Sequence, residues 1–256
     1  MMAVRKRPSL KKVIFICATA SILTLAFYTD DNIKTLTAAD LQVVDTPDIR
    51  ARKKQFFDFM RPIVISENEK IIKLRKKLFI AKESKHQKKF VTKVAKKYKL
   101  DRIESEEDWE TLFERVDTIA LELVLAQSAN ESAWGQSRFA QEGNNFFGQW
   151  CYLEGCGIVP ERRKKNMTYE VARFDSINES VRRYMNNINS SQAYKTLRDI
   201  RKKNRAAGKP ADAIAQAGGL SKYSERGTAY VENIRSLIRT NEDLIRTNED
   251  LMQADE

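Results

Sequence analysis

Between Trp109 and Val124, the apolar residues Trp109, Leu112, Phe113, Val116, Ile119, Ala120, Leu123 and Val124 recur at steps of three and four. That spacing puts them on one face of an amphipathic helix. The helix is expected to run through Ala126-Gln127-Ser128-Ala129-Asn130-Glu131-Ser132-Ala133-Trp134 and to stop at Gly135. One carboxylate, Glu131, then falls in or just past the last turn. There the negative end of the helix dipole and the nearby Trp134 indole disfavour ionisation. An acid that keeps its proton near neutrality can hand it to a leaving oxygen. The plain alternative is a solvated Glu at a helix end.

The chain ends frame this segment. Residues 1–12 hold Arg5, Lys6, Arg7, Lys11 and Lys12 without an acid, and residues 13–28 are apolar apart from Thr19, Ser21 and Thr24. Such a pair reads as an export signal. Its apolar run is shorter than the roughly 20 residues that span a bilayer, which favours a signal peptide over a permanent anchor. A cut after Ala26 is the expected cleavage. The product would lie in the periplasm or on the outer face of the inner membrane, touching the membrane only through residues 1–28 if these stay uncut. Nucleic acid is excluded as a partner by export, and a monomer is expected.

The formal charge is +11, of which the first twelve residues supply five, leaving +6. The runs Arg75-Lys76-Lys77, Lys88-Lys89 and Arg201-Lys202-Lys203 read first as solvated helix faces. The single histidine, His86, sits in a lysine-rich stretch, so a histidine-based triad, an HExxH site and a Cys/His metal cluster are all excluded. No metal and no cofactor are expected. Carboxylate chemistry remains. With Cys17 in the export segment, Cys151 and Cys156 are left in an oxidising compartment, where a disulfide closing a tight loop is expected, with free thiols as the alternative. A crosslink over so short a loop adds shape more than stability.

The residues also carry a resemblance. AQSANESAWGQSRFA over residues 126–140, followed by Asn144-Asn145-Phe146-Phe147-Gly148-Gln149-Trp150, is similar to the glucosaminidase domain of bacterial peptidoglycan hydrolases, with its AQ-x-x-x-ESxWG-x-S block and following NN-x-FG. Residues 149–157 (QWCYLEGCG), residues 169–174 (YEVARF) and the late Lys222-Tyr223-Ser224 with Tyr230 resemble the Bax-type members. The likeness covers residues 107–238. It implies a mainly α (α+β) fold, a lysozyme-like helical domain with a small β-hairpin lobe. It also implies cleavage of the β-1,4 bond of peptidoglycan after N-acetylglucosamine, with glycan strands as partner and Glu131 as general acid. A muramic-acid-cleaving muramidase or lytic transglycosylase, or a non-catalytic wall-binding scaffold, is the alternative.

Glycosidases normally use a second carboxylate. Glu161 is the first candidate and Glu170 the second, both on the segments expected to form the hairpin; the substrate's own N-acetyl group is a route that needs neither. Tyr223 matches the family's tyrosine near the catalytic glutamate, where it would orient sugar or water. The expected substrate-binding residues are Trp150, Phe146, Asn145, Tyr230 and Gln127, since flat aromatic faces suit pyranose rings. Trp134 and Phe147 are assigned to packing first. Asn145 is as well suited to holding the loop beneath the site.

Around this core the expected divisions are a tether at 29–47, a helical extension of two or three helices at 48–106, and a helical tail at 239–256; Ile-Arg-Thr-Asn-Glu-Asp-Leu occurs twice at this end, at 238–244 and 245–251. Within the domain, Asp175-Ser176 is expected to cap a helix carrying Ile177, Val181, Tyr184, Met185 and Ile188. Pro210 is expected to start another that Gly218-Gly219 stops.

Overall fold

The structure is a computed structural model and describes residues 35–41 and 47–246. The export segment, its cut, most of the tether and residues 247–256 lie outside the described residues. The described chain is mainly helical: α1 (Ile49–Ser84), α2 (Lys88–Lys97), α3 (Glu106–Arg115), α4 (Leu121–Glu131) and α5 (Arg138–Gly143) precede a small sheet. After it come α6 (Ile177–Ser190), α7 (Lys195–Ala206), α8 (Ala213–Ala217), α9 (Thr228–Thr240) and α10 (Glu242–Ile245). Among the described residues no helix is long and apolar enough to cross a membrane.

Helix α4 is the centre of the core. Seven consecutive residues, Leu123 to Ala129, are buried, and α1, α8 and α9 pack around it. A helix buried through seven consecutive residues must be covered on every side. Helix α1 supplies much of that cover through Phe56, Phe57, Met60, Ile63 and Val64, which join the same apolar cluster as Leu123, Leu125, Tyr184 and Ile234. The 48–99 segment is thus two helices, with α1 packed directly on α4 and α6.

The single helix expected from Trp109 onward is two. Val116 to Ala120 leave helical geometry between α3 and α4. The cause is tertiary. Arg201 donates to the carbonyls of Glu114, Asp117 and Thr118, Asn189 to that of Asp117, Arg75 to those of Phe113 and Val116, and Asn68 pairs with both backbone groups of Ile119. Backbone groups that a helix would have satisfied internally are instead met by side chains from α1, α6 and α7.

Three other boundaries differ from expectation. Residues 35–41, expected as tether, form a short 3-10 turn, Ala38–Asp40, in which Ala38 and Leu41 are buried; Leu36 N–H donates to Asn178 and Ala38 N–H to Asn144. Helix α8 begins after Asp212, whose carboxylate accepts from Ala215 N–H, and not at Pro210; Gly218–Leu220 continue it as a 3-10 turn. The first copy of the C-terminal repeat breaks at Asn241 and folds back, so that Leu244 and Ile245 are buried and their carbonyls accept from Arg61 of α1. Ser176 caps α6 as expected, accepting from Glu179 N–H.

The sheet has three short strands, β1 (Trp150–Cys151), β2 (Gly157–Ile158) and β3 (Glu170–Ala172), in the order β1-β3-β2, both pairings antiparallel. It agrees with the expected small β lobe, with β3 at its centre. Trp150 lies opposite Val171, and Ile158 opposite the same residue on the other edge.

Phe57 tests whether the extension belongs to the core, because it is fully buried and meets Phe56 and Trp134 edge-on. Phe57→Ala should cost about 3–5 kcal/mol in urea unfolding followed by tryptophan fluorescence and by far-UV dichroism. The two probes should move together. A separate, earlier transition in which only part of the helical signal is lost would mean that the extension melts by itself.

Candidate active site

Glu131 is the last residue of α4, and its position follows from how that buried helix ends. Ser132 caps the helix, its N–H donating to Ser128 C=O, and Trp134 N–H reaches back to Ala129 C=O at 2.9 Å. Ala133, Trp134 and Gly135 all take positive φ, so the chain turns sharply within three residues. The helix therefore ends four residues before Gly135. Gly135 is required there on two grounds: φ is +79°, and a Cβ would run into Leu41. Trp134 packs edge-on against Phe56 and Phe57, with Lys53 over its ring. Packing was its expected first role.

A chain of directed hydrogen bonds holds the Glu131 carboxylate. Tyr184 hydroxyl donates to Gln127 Oε1, Gln127 Nε2 donates to Tyr230 hydroxyl at 2.9 Å, and Tyr230 hydroxyl donates to Glu131 Oε1 at 2.8 Å. Asn130 Nδ2 adds a second donor to Oε1 at 2.9 Å, itself fixed by Asn233. Burial, then the charge of Glu131, pushes the Tyr230 phenol far up, and burial does the same for Tyr184. Both phenols stay protonated and remain donors. Oε1 is thus occupied by two donors, and among the described residues Oε2 is not. Gly148, at φ +61°, lies beside it, where a Cβ would stand 4.0 Å from Oε2.

Tyr223 is half-buried, and its ring stacks on Tyr230 with centroids 5.4 Å apart. Its hydroxyl donates to Phe147 C=O at 3.0 Å, so its proton is committed and only its oxygen lone pairs are left for a ligand. Trp150 is 49% exposed and stacks flat on Tyr169 at 4.3 Å, leaving its other face to solvent. Of the expected aromatic walls, it is the one presented as a sugar platform would be.

Several expected site residues have other work. Phe146 is fully buried, in line with Phe56, and has no face for a sugar. Asn145 uses its whole amide on backbone: Nδ2 donates to Gln149 and Ala172 carbonyls, and Oδ1 accepts from Phe147 and Gln149 N–H. It holds the loop. Gln127 and Tyr230 are buried, with Tyr230 bonded to Glu131 and Gln127 to Tyr230, so their polar groups are turned toward Glu131 and each other. Tyr184 and Asn130 complete the site but were not singled out in the sequence. Tyr184 sits at helical spacing with Val181, Met185 and Ile188, which reads only as core.

Neither second acid approaches Glu131 through a hydrogen bond. The Glu170 carboxylate is turned inward in β3, where it accepts from Gly155 N–H at 3.0 Å and Gly157 N–H at 2.8 Å, and these two bonds hold its pKa below the usual range. Together with the disulfide between Cys151 and Cys156, whose Cα atoms are 6.2 Å apart, it fixes the loop between β1 and β2. Glu161 is 84% exposed, with Arg138 Nε at 4.0 Å. A cavity of about 630 Å³ between α1, α3 and α7 does not include Glu131. Its arginines 198, 201 and 205 are tied to Glu114, Asp117 and nearby carbonyls.

The family described as mannosyl-glycoprotein endo-beta-N-acetylglucosaminidase matches residues 106–243. The protein Bax of Escherichia coli (strain K12) is 31% identical over 208 residues, covering 77% of this chain and 74% of its own. No solved structure matches.

The Glu170 contacts give a pH dependence. Because its pKa in the folded state lies below the ordinary 4.5, its contribution to stability is fully present above that value and is lost as pH falls through the lower one. The difference in melting temperature between wild type and Glu170→Gln should therefore be constant from about pH 7 down to about pH 5 and shrink in stronger acid. A difference that grows on acidification would contradict the assignment.

Proposed function

The chain belongs to the endo-β-N-acetylglucosaminidase family, a glycosidase family whose substrates are glycans, and from that premise we propose that it is an exported cell-wall hydrolase. It cleaves the β-1,4 bond of peptidoglycan after N-acetylglucosamine, with Glu131 as general acid. The observation that carries this reading is the asymmetric hold on Glu131. Tyr230 and Asn130 both bond to one oxygen, leaving the other beside Gly148 to protonate the bridging oxygen between two sugars. When the proton leaves, those two donors stabilise the carboxylate that forms, and they need no reorientation to do so.

Glu170 is committed to backbone and Glu161 faces Arg138, so a protein nucleophile is not the route these contacts favour. Attack by the substrate's own N-acetyl oxygen on the anomeric carbon fits a site with one carboxylate held in this way. Trp150 supplies a flat face for a pyranose ring, and Tyr223 an acceptor for a sugar hydroxyl. A lone glutamate also serves lytic transglycosylases. The two reactions differ in their products.

Digestion of purified peptidoglycan, read by mass spectrometry, should yield fragments with a reducing N-acetylglucosamine end. A reducing or anhydro muramic end would replace this reading with the muramic-acid-cleaving one. Glu131→Gln should lower the rate by roughly two or more orders of magnitude; identical fragments from both proteins at equal rates would remove Glu131 from the chemistry, and no fragments from either would leave a scaffold. Tyr230→Phe keeps the ring stack and deletes one donor to a charged oxygen. It should cost about ten- to a hundredfold in kcat, with KM little changed.

A further inference from the structure

The charge of this protein is concentrated in one hairpin. Residues 70–99, the second half of α1 with α2 and the turn between them, hold thirteen Lys and Arg against the single acid Glu83, a net of +12. The remaining residues hold 33 basic and 34 acidic side chains, a net of −1 within a total of +11. Solvation of helix faces, the first reading of these runs, needs no such segregation. The wall-cleaving reading does not use it either.

The same hairpin exposes large apolar groups. On α1, Ile65, Ile72 and Phe79 follow at steps of seven and so form one stripe, with exposures of 39, 42 and 58%, and Ile80 beside them is 60% exposed. Buried Ile71, Leu78 and Ala81 lie on the opposite side. Lys73, Lys76 and Lys77 are exposed between and beside the apolar residues, and Lys76 and Lys77 have no acidic partner among the described residues. An anionic glycan or other soluble polyanion would account for the lysines. It gives no reason to hold isoleucine and phenylalanine in water among them.

We propose that this face docks on an anionic phospholipid surface, with the lysines at the headgroup phosphates and Ile72, Phe79 and Ile80 entering the interface. Basic side chains flanking exposed apolar ones on a single helix are what an interfacial helix requires, the charges giving long-range attraction and the apolar groups local insertion. This contact lies outside residues 1–28 and does not depend on the reaction at Glu131.

Because the full chain carries its own apolar N-terminal segment, bulk vesicle binding does not report on this face. Lysine acylation footprinting of the full chain, read by mass spectrometry, does. Vesicles containing phosphatidylglycerol should slow acylation of Lys73, Lys76 and Lys77 at least about fivefold, while phosphatidylcholine vesicles leave the rates unchanged. In Phe79→Ser/Ile80→Ser, with folding checked by thermal melting, the slowing should be lost. Unchanged rates with phosphatidylglycerol, equal slowing by both lipids, slowing by soluble polyphosphate alone, or full slowing in the serine variant would each overturn the proposal.

Discussion

A helix buried on every side leaves its last residue no freedom of position, and α4 is such a helix. Its flanks are filled by α1, α8 and α9, and its final carbonyls are met by the chain itself as it turns through Ala133, Trp134 and Gly135. Glu131 is the first side chain of α4 after the buried run that is able to carry charge, and it emerges where Tyr230 of α9 is waiting. The fixed end of the helix is what makes the hydrogen bonds to Oε1 possible. Without Phe56 and Phe57 of α1 beneath Trp134, the turn that ends α4 would lack its floor.

What was legible in the sequence was local. The apolar spacing around α4, the Ser176 cap, the short extended segments and the pairing of two cysteines five positions apart each depend on neighbours in the chain. The break at Val116 to Ala120 does not. Its backbone partners come from Asn68, Arg75, Asn189 and Arg201, between 38 and 87 residues away in sequence, and no periodicity in the segment reveals them. Phe146 and Trp150 illustrate the same limit. Both are large aromatics in one motif, yet one is buried against Phe56 and the other stands half in solvent, a difference decided by which neighbours happen to cover them.

Glu170 shows how a sound chemical expectation can be diverted. A carboxylate on a strand near the site is a reasonable second acid, until the loop it faces is seen to present two unpaired N–H groups. Burying those donors without an acceptor would be costly, and an ionised carboxylate satisfies both at once. The disulfide closes the same loop covalently. Two constraints on so few residues serve position rather than overall stability: they hold β1, and with it Trp150, at a set height against β3.

Helix α1 joins two otherwise unrelated demands. Its first half is core, with Phe56, Phe57, Met60, Ile63 and Val64 buried; along its second half the buried apolar residues are Ile71, Leu78 and Ala81, and charge takes over the surface. At 1.5 Å per residue, 36 residues make a rod of about 54 Å, so the buried half sets the direction of the charged half, which Arg75 also ties to the Phe113 and Val116 carbonyls. A short helix could not do both. The separation also explains how a segment of net +12 is tolerated: its lysines sit on an exposed helix surface where water screens their repulsion, while the buried guanidinium groups of Arg198 and Arg201 are each matched by an acid and by carbonyl oxygens, and that of Arg61 donates to the Leu244 and Ile245 carbonyls. Among the described residues, the buried carboxylates of Glu67 and Asp117 are likewise paired, with Arg182 and Arg205, whereas the exposed Lys76 and Lys77 face water.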